Sequence, residues 1–191
     1  GRFHSPVTAW LILLAGLGVT GSAWYLSSRA VQKRAEDRFS TRVEEIRHAI
    51  RERMIGYEQV LWGGAGLFYA SCEVSRGEWR AYVETVDLPS RWPGIQGLGF
   101  SVPLRPDEVA PLEASVREQG FPEFTVRPEG ERDTYTTILY LEPFDWRNQR
   151  AFGYDMWSNE MRREAMARAR DTGTASTSGV ITLVQETDED V

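Results

Sequence analysis

Two consecutive stretches decide the architecture: Val31-Gln-Lys-Arg-Ala-Glu-Asp-Arg-Phe-Ser-Thr-Arg-Val-Glu-Glu-Ile-Arg-His-Ala-Ile50, and its continuation Arg51-Glu-Arg-Met-Ile-Gly-Tyr-Glu-Gln-Val-Leu61. Apolar residues fall at Val31, Ala35, Phe39, Val43, Ile46, Ile50, Met54, Tyr57 and Leu61, in steps of four and three. Between them stand mostly Arg, Glu, Gln and Lys. A three-to-four period held for 30 residues predicts one long amphipathic helix with a narrow apolar stripe. The stripe can pack on the chain's own body, on a second copy along its lower half, or partly on both. The reading favours the chain's own body for most of it.

On the N-terminal side, Ser5 to Ser28 carries no formal charge and contains Trp10-Leu-Ile-Leu-Leu-Ala-Gly-Leu-Gly-Val19. As helix, 24 residues extend roughly 36 Å, enough to cross the hydrocarbon core of a bilayer. Trp10, Trp24 and Tyr25 stand near its ends, where amphipathic rings prefer the interface. The run is long for a cleavable signal peptide, so a retained anchor is expected. Arg2 and His4 precede it, while Arg29, Lys33, Arg34 and Arg38 follow, a bias that alone would place the C-terminal side in the cytoplasm. The chain begins with Gly1 and stops at Glu186-Thr-Asp-Glu-Asp-Val191, and the expectation is a piece cut from a longer protein. The acidic tail reads as a solvated loop rather than a metal site formed by Asp188, Glu189 and Asp190.

The body opens with Gly63-Gly64-Ala65-Gly66, which lacks the following Lys-Ser/Thr of a phosphate loop and reads as a close helix contact or bend. Ser75-Arg-Gly-Glu78 is a capping box that starts a helix through Val86. Ile95 to Pro103 reads as a strand. Pro106 to Glu118 reads as a helix closed by Gly120. Strand-like runs follow at Phe124–Val126, Tyr135–Leu141 and Ala151–Asp155. Ser158 or Asn159 caps a helix that ends at Gly173, and two further strands are expected at Ala175–Ser178 and Val180–Gln185. The fold class is α+β, an antiparallel sheet flanked by helices.

Composition narrows the chemistry. The 191 residues carry 22 Lys and Arg against 28 Asp and Glu, a net charge of −6, with no basic block, so nucleic acid is a poor partner. One cysteine and two histidines exclude a disulfide framework and a multi-histidine metal centre, and no cofactor is expected. Cys72 reads as a small buried hydrophobe. Asp171-Thr-Gly173 has the letters of the aspartic-protease triplet, but it follows a charged helix and has no second copy to share a proton, so helix termination explains it. No catalytic constellation stands out, and the expectation is a binding region, not an enzyme; a membrane-anchored hydrolase is the minor alternative. Tyr135, Tyr140, Phe144, Trp146, Phe152, Tyr154 and Trp157, interleaved with charges, suit either a core or an apolar ligand cleft.

Five stretches together resemble a CHASE domain: Leu61–Ser71, Trp92–Phe100, Tyr140-Leu-Glu-Pro143, Phe152-Gly-Tyr-Asp-Met156 and Ala167–Gly173. The resemblance covers about Val43 to Glu186. It implies an extracytoplasmic sensor of a membrane receptor, built from a membrane helix (1–28), a stalk helix (29–62) and a PAS-like sensor domain (63–191) that continues past the end of this chain. It places residues after about 28 on the periplasmic side of the inner membrane, against the local charge count. It further implies a second PAS-like unit, a second span and a kinase or cyclase output elsewhere in the receptor. Plant members hold a cytokinin purine partly through an acid in the helix after the Asp-Met pair. Arg162 stands about there in this chain, which points to an anionic organic ligand instead. The candidate lining residues are Phe100, Tyr140, Tyr154, Met156, Arg162, Ser178 and Leu183. The expected partners are this small molecule, the membrane and a second copy of the chain in a homodimer. The alternative is a scaffold that senses a protein.

Overall fold

The computed structural model describes residues 6–186. Helix α1 runs from Pro6 to Ala70. The chain divides into two compact units, one up to Gly56 and one from Tyr57.

In the first unit α1 carries the apolar run, and its side chains from Trp10 to Leu26 are exposed. The helix is long and apolar enough here to cross a membrane. The stalk stripe is exposed as well: Phe39 is 73% accessible, Ile46 52% and Ile50 59%. Ser5 and the residues before it, with Arg2 and His4, lie outside the described residues, as does the acidic run Asp188 to Asp190.

In the second unit the stripe is used differently. Tyr57 donates its hydroxyl to the Pro93 carbonyl (3.1 Å) and sets its ring edge-on to Trp92, while Val60 is buried. Gly63-Gly64-Ala65-Gly66 does not break α1. Its first two glycines form a contact point for α2 (Arg76–Val86), whose Trp79 and Tyr82 rings lie against them.

The capping box of α2 is complete: Ser75 Oγ accepts the Glu78 N–H at 3.3 Å, and the Glu78 carboxylate accepts the Ser75 N–H at 2.8 Å. Buried Val74 just before the cap and Trp79 on the first turn belong to one apolar cluster, which fixes how the chain enters the helix. Asp87, in the left-handed region (φ 53°), ends α2, and the short helix α3 (Leu88–Arg91) follows.

Strand β1 (Leu98–Leu104) pairs antiparallel with β2 (Tyr135–Glu142), with α4 (Pro106–Glu118) between them in sequence. The register pairs Phe100 with Tyr140, then Ser101 with Ile138, so Leu139 is an extra residue in β2. Arg76 donates to the Leu139 carbonyl at 3.0 Å. Helix α5 (Glu160–Thr172) is capped by Asn159, whose side chain accepts the Arg162 N–H, and it stops at Gly173 (φ 65°). The triplet Asp171-Thr-Gly173 is thus a helix end, with Asp171 paired to Arg170 on the surface.

Four of the expected strands are not strands, and the sheet among the described residues has two strands only. Phe124 and Val126 are buried with exposed Thr125 between them, which mimics a strand. Yet the Val126 N–H bonds to the Glu113 carboxylate rather than to a neighbouring strand. The segment from Ala151 to Asp155 turns at Gly153 (φ 82°) and touches β2 through one isolated bridge, Thr137 to Asp155. The 175–178 segment is held to α5 by side chains, with Arg168 bonding Ser176 Oγ and the Thr177 carbonyl. Val180 to Gln185 is irregular and ends in a 3-10 turn at Val184–Glu186. Cys72 is exposed in the loop between α1 and α2, not buried, because it sits on no apolar face.

Candidate functional site

The site is built on α5 and the segment that follows it. Arg162, Ala165 and Met166 occupy one face of α5, at the spacing that aligns side chains on a helix. Facing them are Ser176, Ser178, Ile181, Leu183, Val184 and Gln185, and the floor is Ile138 of β2 with Ala151 and Met156. They enclose an open cavity of about 300 Å³.

Arg162 supplies the positive charge. Its guanidinium carbon lies 4.9 Å over the Tyr154 ring, and Nη2 donates to the Thr182 carbonyl at 3.3 Å. A guanidinium stacked on a ring and tied by one bond keeps other donors of its planar fork for a ligand. The hydroxyls of Ser176 and Ser178 and the Gln185 amide add neutral polar groups. The Gln185 amide donates to Asn148 Oδ1 at 3.3 Å, and buried Asn148 in turn donates to the Gln96 and Pro143 carbonyls.

Of the seven candidate residues, Met156, Arg162, Ser178 and Leu183 line this cavity, and Tyr154 stacks behind Arg162. Phe100 and Tyr140 are placed elsewhere. The Phe100 ring stacks on Phe68 with centroids 4.0 Å apart and lines a separate apolar groove of about 420 Å³ with Leu61, Ala65, Tyr69 and Leu98. Tyr140 donates its hydroxyl to the Val74 carbonyl at 2.9 Å. Sequence reasoning missed Ala165 and Met166, although their three- and four-residue offsets from Arg162 could have found them. Nothing in the sequence pointed to Asn148.

Beside the cavity, Asp155 is fully buried and holds the chain that shapes it. Oδ1 accepts the N–H groups of Thr136 (2.7 Å) and Trp157 (3.0 Å), and Oδ2 lies 3.5 Å from Arg132 Nη1. Arg76 is a half-buried cation, stacked among Phe121, Phe152 and Tyr140 at 4.4 to 5.1 Å. Burial lowers its pKa from the ordinary arginine value, with Tyr140 and Glu142 partly opposing. Burial also raises the Tyr140 pKa, which the nearby Arg76 charge partly offsets. Among the described residues no three His, Cys, Asp or Glu side chains converge as metal ligands would.

The family profile of the CHASE domain matches residues 72–191. The chain belongs to the CHASE domain family. No curated protein matches it. CHASE domains are extracytoplasmic, non-catalytic sensor domains of signalling receptors, and the apolar N-terminal part of α1 suits a membrane protein. The matched residues take in α2 to α5 and every residue of the α5 cavity.

Proposed function

We propose that this CHASE domain binds a small organic acid in the cavity beside α5 and relays its occupancy along α1 to an output domain across the membrane. The observation that carries the reading is Arg162: a cation backed by an aromatic ring, at the wall of a cavity otherwise lined by apolar and neutral polar groups. A carboxylate there gains a charge-assisted, two-pronged hydrogen bond, and the apolar wall takes the rest of the molecule. In this reading the two-stranded sheet is part of a PAS-like unit on the periplasmic face of the inner membrane. The output is a histidine kinase or a nucleotide cyclase such as a diguanylate cyclase. Helix α1 is continuous through Ala70, and its last turns pack on α2, so a shift in the second unit has a covalent route toward the anchor. The ligand need only prefer one of two arrangements by a few kcal/mol.

The test is the melting temperature of the whole chain in detergent across a panel of small organic acids, their amides and matching amines. A ligand at about a hundred times its Kd adds roughly 2.7 kcal/mol, several degrees for a unit of this size. Acids that raise the temperature while their amides do not support the reading. A second reading, a surface that senses a protein, is favoured by the apolar groove along Leu61, Phe68 and Phe100, which carries no charged group. A response to amines alone, or to none of the panel, moves the weight to it.

A further inference from the structure

Charge is unevenly distributed around the cavity beside α5. Among the described residues its lining carries one charged group, Arg162, and no carboxylate. The acids closest in sequence are turned elsewhere. Asp155, fully buried, gives Oδ1 to the Thr136 and Trp157 N–H groups and lies 3.5 Å from Arg132 through Oδ2. Glu160 and Glu164 are exposed on α5, and Glu186 is exposed 4.0 Å from Arg147. The other arginines of α5 are engaged as well. Arg163 donates to the Trp157 carbonyl, Arg168 to Ser176 Oγ and the Thr177 carbonyl, and Arg170 pairs with Asp171. Ile138, Met156, Met166, Ile181 and Leu183 make most of the wall apolar.

We infer that this site takes a monocarboxylate with an uncharged, apolar body, and that it discriminates against α-amino acids and dicarboxylates. The inference rests on the anion site proposed at Arg162 and narrows what that site accepts. One carboxylate matches the free donors of a single guanidinium fork. An ammonium beside it, or a second carboxylate at the far end of the molecule, would leave water for a wall of methionine, leucine and isoleucine. No opposite charge meets it there, and an unpaired charge is costly to desolvate. The serine hydroxyls do not supply that charge: Ser176 Oγ accepts from Arg168, and Ser178 Oγ donates to the Gly179 carbonyl at 3.0 Å. Size bounds the body too. The cavity of about 300 Å³ equals the volume of about ten water molecules at roughly 30 Å³ each, room for a short alkyl chain or one phenyl ring.

The test is isothermal titration of the whole chain in a non-ionic detergent, as wild type and as Arg162→Ala, with two matched sets of acids. Hexanoate is compared with norleucine, which adds an ammonium, and with adipate, which adds a second carboxylate. Phenylacetate is compared in the same way with phenylglycine and phenylmalonate. Each charged counterpart is expected to bind at least about tenfold more weakly than its parent acid, and the parent acids are expected to weaken in Arg162→Ala. A counterpart that falls short of that loss, or binds more tightly than its parent, while still depending on Arg162, would overturn the monocarboxylate class and leave the anion site standing. Binding indifferent to Arg162→Ala, or no binding by any of these acids, would overturn the anion site and this inference with it.

Discussion

Gly64 faces the indole of Trp79 so closely that a methyl group in place of its hydrogen would lie 3.2 Å from the ring. One position earlier, at Gly63, the same methyl would sit 2.5 Å from the Tyr82 hydroxyl, which donates to the Val60 carbonyl at 2.6 Å. Gly66 is exposed, and a methyl there would meet nothing within 4 Å. The three glycines therefore respond in opposite directions. Gly66→Ala should stabilise the protein by about 0.5–1 kcal/mol, since alanine is the better helix former. Gly63→Ala and Gly64→Ala should each lose about 1–3 kcal/mol, because a strained or displaced ring outweighs the same helix gain. Urea unfolding of the three variants checks the signs.

Asp155 belongs to the Asp-Met pair that helped suggest the family, and the structure gives it a structural task. Asp155→Ala leaves two N–H groups, those of Thr136 and Trp157, without their buried acceptor and takes from Arg132 its nearby carboxylate, leaving it only the Pro128, Glu129 and Gly130 carbonyls. A loss of about 2–4 kcal/mol is expected. It should appear in urea unfolding before any ligand is added, which separates this residue from a ligand contact.

The cap of α2 makes stability depend on pH. The Ser75 N–H and then the Ser75 hydroxyl hold the Glu78 carboxyl below its ordinary value of 4.5. A carboxylate with a lowered folded pKa contributes in full above the unfolded value and loses that contribution as pH falls through the folded one. The advantage of the wild type over Glu78→Gln should therefore be constant from pH 7 to about 5 and shrink below about 4.5. Unfolding midpoints measured from pH 3 to 7 check this, and a difference independent of pH would contradict it.

Features decided by neighbours in sequence were legible. The box Ser75/Glu78, the Asn159 cap, the stop at Gly173 and the start at Pro106 all depend on bonds within one turn. What depends on distant partners was not. Phe124-Thr-Val126 alternates like a strand, but the Phe124 N–H finds the Phe121 carbonyl and the Val126 N–H the Glu113 carboxylate instead of a ladder. The burial of Cys72 was misjudged because residue type, not position, guided it. Of the cavity, Arg162 was readable through its place after the Asp-Met pair, while Ala165 and Met166 on the same helix face were missed. The meeting of α5 with Ser178 and Leu183 depends on where the irregular chain after Gly173 returns, which no local pattern encodes.

The most direct test of the account is the Kd of the best-stabilising organic acid for the whole chain as wild type, Arg162→Ala and Arg162→Lys, measured by isothermal titration. Arg162 makes one hydrogen bond and one ring contact, so its loss should cost the unliganded protein only about 0.5–1.5 kcal/mol. Affinity should fall at least about tenfold in Arg162→Ala, and recover only in part in Arg162→Lys, which restores the charge but not the planar fork. Equal affinities in all three proteins would contradict an anion site at Arg162.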